Sequence, residues 1–571
     1  MKHAFSLFVV LACLFSFSAA QDTWSVVWRL TQLPNLPAQT GSELAIVKAG
    51  FDTDQDGWGE FLCAWTDLSD NYILMYEASA DNTYDLVWSW KYPYDASRAN
   101  TFAGIAVGDI DNNSKVDIVT TMPAVADAST PNPDRLWVFE WSGVQGENKY
   151  GNEVGGEILP TASWNVNQLD NTDFRPYSLS IEDIDDDGSN ELIMGVRQSE
   201  SSATVRQVLV ISVTGELSGF YSWNIEYNYK HDFDGALYSV TTGDLDNDGN
   251  QEICAFVWAQ FTMRMFECTG DGLYTEVFSV DSLYKTQDID YGAVDGVVVT
   301  DVNGDGVNEM YMAGTEDPNK IFILPGASDV STLTGSDIKE LFTIPVTGPS
   351  ARGGFRSMQA ADPDHDGNTD LMIAGEKNGQ IFSLEYKGTG DPADSASWEL
   401  HTLFDVWTYA TLDPNTFNVD KPRYFYGSPA GDMDKDGKSE YVFVNYSTDF
   451  GNYTDDAYLY VIESPMASEV ADRGTAIPER TALMQNYPNP FNPSTTIAYQ
   501  LPSRCKVRLE VFNMYGQRVA TLVDRVMDAG FQRAVWHASS PSGTYIYRLE
   551  AVSIDEPGKR FIDTKKMILV R

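Results

Sequence analysis

Cysteine is scarce: five occur in 571 residues, and four of them, Cys63, Cys254, Cys268 and Cys505, lie beyond the apolar N-terminal segment described below. Such thin usage excludes a disulfide scaffold and offers no zinc spacing. Cys254 and Cys268 either face each other across a hairpin or stay as buried free thiols. Histidine is as rare, and His231, His365, His401 and His537 make no pair with metal-ligand spacing. Positive charge is also in short supply. The 38 Lys and Arg stand against 83 Asp and Glu, a net charge of −45, which disfavours nucleic acid and anionic lipid as partners. After residue 17 no run reaches the ~18 apolar residues of a membrane-spanning helix. There is no nucleophile elbow, no histidine dyad, and no acidic pair apart from the repeated clusters described next.

The start of the chain sets a compartment. Lys2 and His3 precede an apolar stretch from Ala4 to Phe17, and Ser18-Ala19-Ala20 offers small residues before Gln21. This is the pattern of a secretory signal peptide over residues 1–20. A lipoprotein box at Val10-Leu11-Ala12-Cys13 fits less well, because Leu11 is bulky and the apolar run continues past Cys13.

Many acids fall into short, regular clusters, and clustered carboxylates repel one another unless a cation sits among them. A nine-residue pattern, Asp-x-Asp-x-Asp-Gly-x-x-(Asp/Glu), recurs seven times. The first copies use Asp52, Asp54, Asp56 and Glu60; Asp109, Asp111, Asn113 and Asp117; Asp183, Asp185, Asp187 and Glu191; and Asp244, Asp246, Asp248 and Glu252. The remaining three use Asp301, Asn303, Asp305 and Glu309; Asp362, Asp364, Asp366 and Asp370; and Asp432, Asp434, Asp436 and Glu440. Ca²⁺ takes roughly 6–8 oxygens, which positions 1, 3, 5 and 9 and the carbonyl of position 7 can supply, with glycine at position 6 permitting the turn. The closing acid at position 9, and the absence of flanking helices, separate these loops from an EF-hand. Up to seven structural Ca²⁺ ions are therefore expected. The second copy departs most, with Asn113 for aspartate and Ser114 for glycine.

Apolar runs follow each loop, a second run comes after a variable hairpin, and a third, more polar run follows. With the small-residue segment before the loop this makes four short strands per repeat, the signature of propeller blades. The seventh repeat supplies three strands only. Thr23 to Leu30 reads like a missing fourth strand, so the chain's beginning is expected to close the ring and remove an open edge. The predicted fold is all-β: a seven-bladed β-propeller over residues 21–465, a linker over 466–480, and a C-terminal immunoglobulin-like β-sandwich over 481–571.

The loops and their spacing resemble the FG-GAP family of calcium-binding propeller repeats, found in integrin α-subunits and bacterial surface proteins. That resemblance implies that the acids named above are Ca²⁺ ligands. Most copies lack the Phe-Gly and Gly-Ala-Pro pairs that name the family, so the likeness is to the calcium loop and blade spacing.

Beyond the linker the charge balance reverses, with 13 basic and 7 acidic residues from Arg480 to Arg571. The opening Asn486-Tyr487-Pro488-Asn489-Pro490-Phe491-Asn492-Pro493 forbids a helix or central strand. Alternating strands follow, including Ser542-Gly543-Thr544-Tyr545-Ile546-Tyr547-Arg548-Leu549 and the terminal Lys565-Lys566-Met567 segment. This segment resembles the C-terminal sorting domain of the bacterial type IX secretion system. The resemblance implies the type IX machinery as partner and an extracellular or outer-membrane surface location.

The segments entering each repeat's first strand pair aromatics with charges. Tyr94, Arg98, Phe174, Arg175, Tyr177, Phe233, Arg352, Phe355, Arg423 and Tyr424 are the expected ligand rim, on the face opposite the calcium loops, although such rings also pack between blades. Aromatic faces beside arginine forks suit sugars or acidic groups. The leading expectation is non-enzymatic recognition of an extracellular glycan or protein. A polysaccharide lyase or glycosidase, and a structural spacer, are the alternatives.

Overall fold

A computed structural model of the chain describes residues 24–33, 43–66, 71–93, 103–121, 134–165, 174–198, 206–231, 237–257, 261–281, 283, 294–315, 319–345, 354–375, 379–410, 423–446, 457–465, 481–483, 486, 491, 494–527, 530–538, 541–554 and 559–569. The fold is all-β and propeller-like, built from small antiparallel sheets. The expected signal peptide and linker lie outside the described residues.

Seven of the sheets have four strands and a shared plan. Their first strands are Glu43–Phe51, Gly104–Gly108, Phe174–Glu182, Leu237–Gly243, Val294–Thr300, Phe355–Ala361 and Gly427–Gly431, which number the sheets 1 to 7. The second strands are Glu60–Thr66, Asp117–Thr121, Glu191–Gln198, Glu252–Val257, Glu309–Gly314, Asp370–Gly375 and Glu440–Val444. Each of these begins on the closing acid of an acidic loop, so every loop turns the chain from first strand to second. The third strands, Asn71–Ala80, Leu136–Glu140, Arg206–Gly215, Thr262–Cys268, Lys320–Leu324, Gln380–Tyr386 and Leu459–Glu463, carry the second apolar run.

The fourth strand comes from the same repeat in sheets 1 to 6. In sheet 7 it is Ser25–Leu30 from the start of the chain, paired antiparallel with Leu459–Glu463 from Ser25 opposite Glu463 to Leu30 opposite Leu459. This strand is the one expected from the sequence, because the seventh repeat supplies only three and Thr23 to Leu30 reads like the missing fourth.

Strand alternation sends neighbouring side chains to opposite faces, and each sheet is apolar on both. Cys254 packs toward sheet 5 with Met310, whereas Ile253 and Ala255 pack toward sheet 3 with Ile193 and Val208. Seven such clusters lie between consecutive sheets, and the one joining sheet 7 to sheet 1 gathers Val442 and Val461 with Phe61, Cys63 and Leu74. First strands meet in the same cyclic order, with Glu43–Phe51 against both Gly104–Gly108 and Gly427–Gly431. Each buried aliphatic or aromatic side chain contributes about 1.5–3 kcal/mol, so these interfaces dominate the stability.

The C-terminal region forms two further sheets. One has Ala482–Leu483, Ser494–Leu501 and Gly530–His537; the other has Arg518–Met527, Cys505–Asn513, Gly543–Ser553 and Arg560–Leu569. They share a core that includes Phe491, Val507, Trp536, Tyr547 and Met567. Cys63, Cys254, Cys268 and Cys505 are buried free thiols. Cys254 sits opposite Met265 and Cys268 opposite Tyr274, so the pair does not face across a hairpin.

Candidate metal centres

Each acidic loop is wound by its own side chains. The position-1 carboxylate accepts the N–H of position 6 in all seven, for example Asp52 from Gly57 at 3.1 Å, Asp109 from Ser114 at 2.7 Å and Asp432 from Gly437 at 3.0 Å. Position 5 accepts the N–H of position 7, as Asp56 does from Trp58 at 2.7 Å and Asp248 from Asn250 at 2.7 Å. These are Asx-type turns, and they leave further oxygen lone pairs directed at a common centre.

Positive φ falls at two places in every loop. Position 6 is Gly57, Gly188, Gly249, Gly306, Gly367 or Gly437 at φ between 89° and 98°, and Ser114 takes 71° in the second copy. No atom lies within 4 Å of a Cβ built on Gly249, so glycine is there for the backbone conformation and not for space. Position 4 is also left-handed, in Gln55, Asn112, Asp186, Asn247, Gly304, His365 and Lys435. Sequence reasoning missed this, because position 4 carries no consistent residue type.

The closing acid is held by position 2. Thr53, Ile110, Ile184, Leu245 and Met433 donate their N–H to Glu60, Asp117, Glu191, Glu252 and Glu440 at 2.7–3.0 Å. In the sixth loop position 2 is Pro363, which has no N–H, and the shorter Asp370 accepts from the Ser383 hydroxyl instead.

In four loops the second oxygen of this acid is buried without a hydrogen-bond partner: Glu60 Oε1, Asp117 Oδ1, Glu252 Oε1 and Glu440 Oε1. Asp54 Oδ2, Asp111 Oδ1 and Asp244 Oδ1 share that condition. Ligand oxygens of Asp432, Asp434, Asp436 and Glu440 lie within 4.8 Å of one another, as do those of Asp52, Asp54 and Glu60 and those of Asp109, Asp111 and Asp117. Buried polar atoms are normally satisfied, and an all-oxygen, multiply anionic donor set is the one a hard divalent cation takes. The residues present therefore fit Ca²⁺.

Without a cation the electrostatics are adverse. Burial, followed by the neighbouring acids (Glu226 first for Glu191, loop aspartates for the others), pushes Glu60, Glu191 and Glu440 up to about 9. Glu252 and Asp370 rise to about 8, Glu309 to about 7, and Asp117 goes well above its ordinary range, in each case chiefly through burial.

Third strands add a second acid that the fixed nine-residue spacing hid. Glu77, Glu140, Glu267, Glu385 and Glu463 stand directly opposite Glu60, Asp117, Glu252, Asp370 and Glu440. The hairpin between them varies in length, so they keep no constant distance in sequence.

The loops are also tied to the neighbouring repeats. Gly59 N–H bonds Met433 O at 2.9 Å, Gly146 N–H bonds Asp54 O at 3.0 Å, and Asn190 and Asn308 side chains donate to Asp109 O and Asp244 O at 2.5 Å. Lys435 Nζ lies 4.2 Å from the centre of the Trp58 ring.

At the opposite ends of the first strands the rim is less complete. Tyr94, Arg98, Phe233 and Arg352 lie outside the described residues, and only the backbone of Phe174, Arg175 and Tyr177 is described. Phe355 and Tyr424 are core rings with no solvent exposure. Arg423 is half-buried, 5.6 Å from the Phe425 ring centre. Phe425 stacks on Tyr446 at 4.3 Å and carries the Arg356 guanidinium at 4.5 Å. Arg356 is in turn paired with the buried Asp295 at 3.2 Å. This cluster draws on the starts of three neighbouring first strands.

The secretion system C-terminal sorting domain matches residues 485–562, which indicates export by a type IX route to the surface or the medium. No FG-GAP repeat family matches, and no curated protein matches. Among solved structures, an Agrocybe aegerita lectin recognising non-reducing terminal N-acetylglucosamine is 11% identical, covering 64% of this chain and 81% of its own, with a TM-score of 0.37. A rhamnogalacturonan lyase from Bacillus licheniformis is 13% identical, covering 78% and 76%, with a TM-score of 0.38. The α-L-arabinofuranosidase of Fusarium graminearum is 9% identical, covering 63% and 92%, with a TM-score of 0.35. Likenesses this distant bear on no functional assignment.

Proposed function

We propose that the chain is an exported, calcium-stabilised seven-bladed β-propeller that binds an extracellular glycan or protein ligand without turning it over. Its C-terminal domain, read as an immunoglobulin-like sandwich, delivers it to the type IX machinery. The observation that carries the calcium reading is the closing acid, recurring with one oxygen on a backbone N–H and the other buried and unpaired. Bound Ca²⁺ supplies the positive charge that lets these carboxylates stay ionised side by side. The protein's own part is to hold the acids in place through the position-2 amide and the Asx turns. Each site is expected to be weak to moderate, in the ~10⁻⁴–10⁻³ M range of extracellular modules.

For recognition, Arg423 offers a fork to carboxylates or sugar hydroxyls beside an aromatic floor. That floor is fixed by the buried Arg356–Asp295 pair and the Phe425–Tyr446 stack. The test is binding of wild type and Arg423→Ala to an array of acidic and neutral glycans, with product analysis on pectins in calcium and in chelator. Saturable binding without product, weakened roughly 10-fold or more by Arg423→Ala, is expected. Turnover of any polysaccharide would replace this reading with an enzymatic one, and an array without a ligand would favour a spacer.

A further inference from the structure

The junction of sheets 7 and 1 contains oxygens that the acidic loops do not use. The tight turn between the third and fourth strands of sheet 1 carries Asp81 and Asn82, the latter at φ 56°. Its Asn82 N–H donates to Asp434 Oδ2 of the seventh loop at 2.6 Å. Ligand oxygens of Asp81, Asp434 and Glu463 lie within 4.8 Å of one another. Asp434 is 3% exposed and Glu463 4%.

Three further observations point to something missing from this cluster. Glu463 gives Oε2 to the Lys438 ammonium at 2.6 Å, while its Oε1 is buried with no partner. Asn82 turns its Nδ2 onto Asp81 Oδ1 at 2.6 Å, and its Oδ1 is buried with no partner. The Tyr84 hydroxyl, on a side chain only 4% exposed, has no partner either, and after burial the charges acting on it are Glu440, Asp434, Glu463 and Asp436.

Sheet 2 provides an internal control. There the equivalent third-strand acid, Glu140, has both oxygens occupied, one by Lys115 at 2.5 Å and the other by Asn113 at 2.5 Å. The turn of sheet 3 that meets Asp111 donates through the Leu217 N–H at 2.7 Å, with an apolar side chain where sheet 1 presents Asn82. At the seam a third-strand carboxylate with a buried, unpartnered oxygen meets an acid and an amide from the next sheet.

Charge tells the same way. Asp81, Asp432, Asp434, Asp436, Glu440 and Glu463 carry six negative charges within this small region, and Lys438 offsets one. A divalent ion in the seventh loop, taken from the proposed function above, still leaves an excess of negative charge.

We propose that the seam is a second type of metal site, in which Asp81, Asp434 and Glu463 bind one hard divalent cation that ties sheet 1 to sheet 7. All the donors are oxygen, the set favoured by Ca²⁺ and its like over softer metals. Because its donors come from both ends of the ring, the ion links the two sheets that only non-local pairing holds together.

The experiment is calcium content per chain after equilibrium dialysis, using full-length wild type, Asp81→Asn, Glu463→Gln and, as a loop control, Asp244→Asn. Asp81 is an exposed turn residue outside every loop, so its variant is expected to melt like wild type in chelator. Asp81→Asn and Glu463→Gln should each lose one bound ion. They should also lose part of the calcium-induced rise in melting temperature. If both variants bind as many ions as wild type while Asp244→Asn loses one, the seam site is refuted and the loops stand. If wild type binds no calcium, both ideas fall.

Discussion

Replacing Glu252 by glutamine should stabilise the calcium-free protein and destabilise the calcium-loaded one. Glu252 has no solvent exposure; its Oε2 accepts the Leu245 N–H at 2.7 Å and its Oε1 has no partner. Burial, reinforced by Asp246 and Asp244, raises its carboxyl from 4.5 to about 8. A carboxyl raised on folding holds its proton longer in the native state. In chelator its contribution is therefore favourable below about 4.5 and is lost progressively as pH rises towards about 8. Glutamine has the same shape and no charge to bury. At ~1.4 kcal/mol per pKa unit the upper limit is about 4–5 kcal/mol, and solvent around the loop reduces this to an expected gain of about 1–2 kcal/mol near pH 8. In calcium the effect reverses. One ion at roughly 10–100 times its Kd is worth about 1.4–2.7 kcal/mol of stability, which the variant forfeits. Thermal melts of both proteins, in calcium and in chelator, read the two shifts at no more than about 2–4 °C per kcal/mol. A variant that moves the melting temperature in the same direction in both solvents would refute the reasoning, as would a wild type indifferent to calcium.

Gly249→Ala should cost about 1–2 kcal/mol although nothing crowds the site, because φ is 98° there. Ser114→Gly should gain about 0.5–1 kcal/mol by relieving the same conformation in the second loop. Denaturant titration checks both, and equal midpoints for all three proteins would show that φ is not the reason for glycine. Asp295→Asn should cost about 3–5 kcal/mol by removing the buried carboxylate paired with the Arg356 guanidinium, with much of the loss recovered when Arg356→Met is added. No recovery in the double variant would mean that the pair matters through other contacts.

The repeated loop was legible because its chemistry demands fixed residue types at fixed offsets: Asp52, Asp54, Asp56 and Glu60 declare themselves, as does the apolar strand that each closing acid begins. The fourth strand of sheet 7 was legible too, because the seventh repeat lacks one and Ser25–Leu30 reads like the fourth strands elsewhere. Contacts set by tertiary geometry left no such mark. Glu77 and Glu463 oppose closing acids across hairpins of unequal length. The left-handed position 4 accepts Gln55, Asn112, His365 and Lys435 alike, so the conformation is imposed by the turns on either side and not by the residue. The rim was read least well. Phe355 and Tyr424 were grouped with it for their proximity to arginine, yet both pack inside, because a ring beside a charge in sequence carries no information about which way the ring faces.

Ser25–Leu30 has one more consequence, for the order in which the molecule can be finished. Its partner strand ends at Glu463, 438 positions later than Ser25. A chain emerging from a ribosome or threading a membrane presents this segment near the beginning and must hold it in reserve until nearly everything else has arrived. Closure over so long a separation is a late, slow event, and until then sheet 7 keeps an unpaired border open to chaperones, proteases or another copy. A product truncated before Leu459 never loses that border. The circle thus doubles as a check that synthesis and passage have reached Glu463.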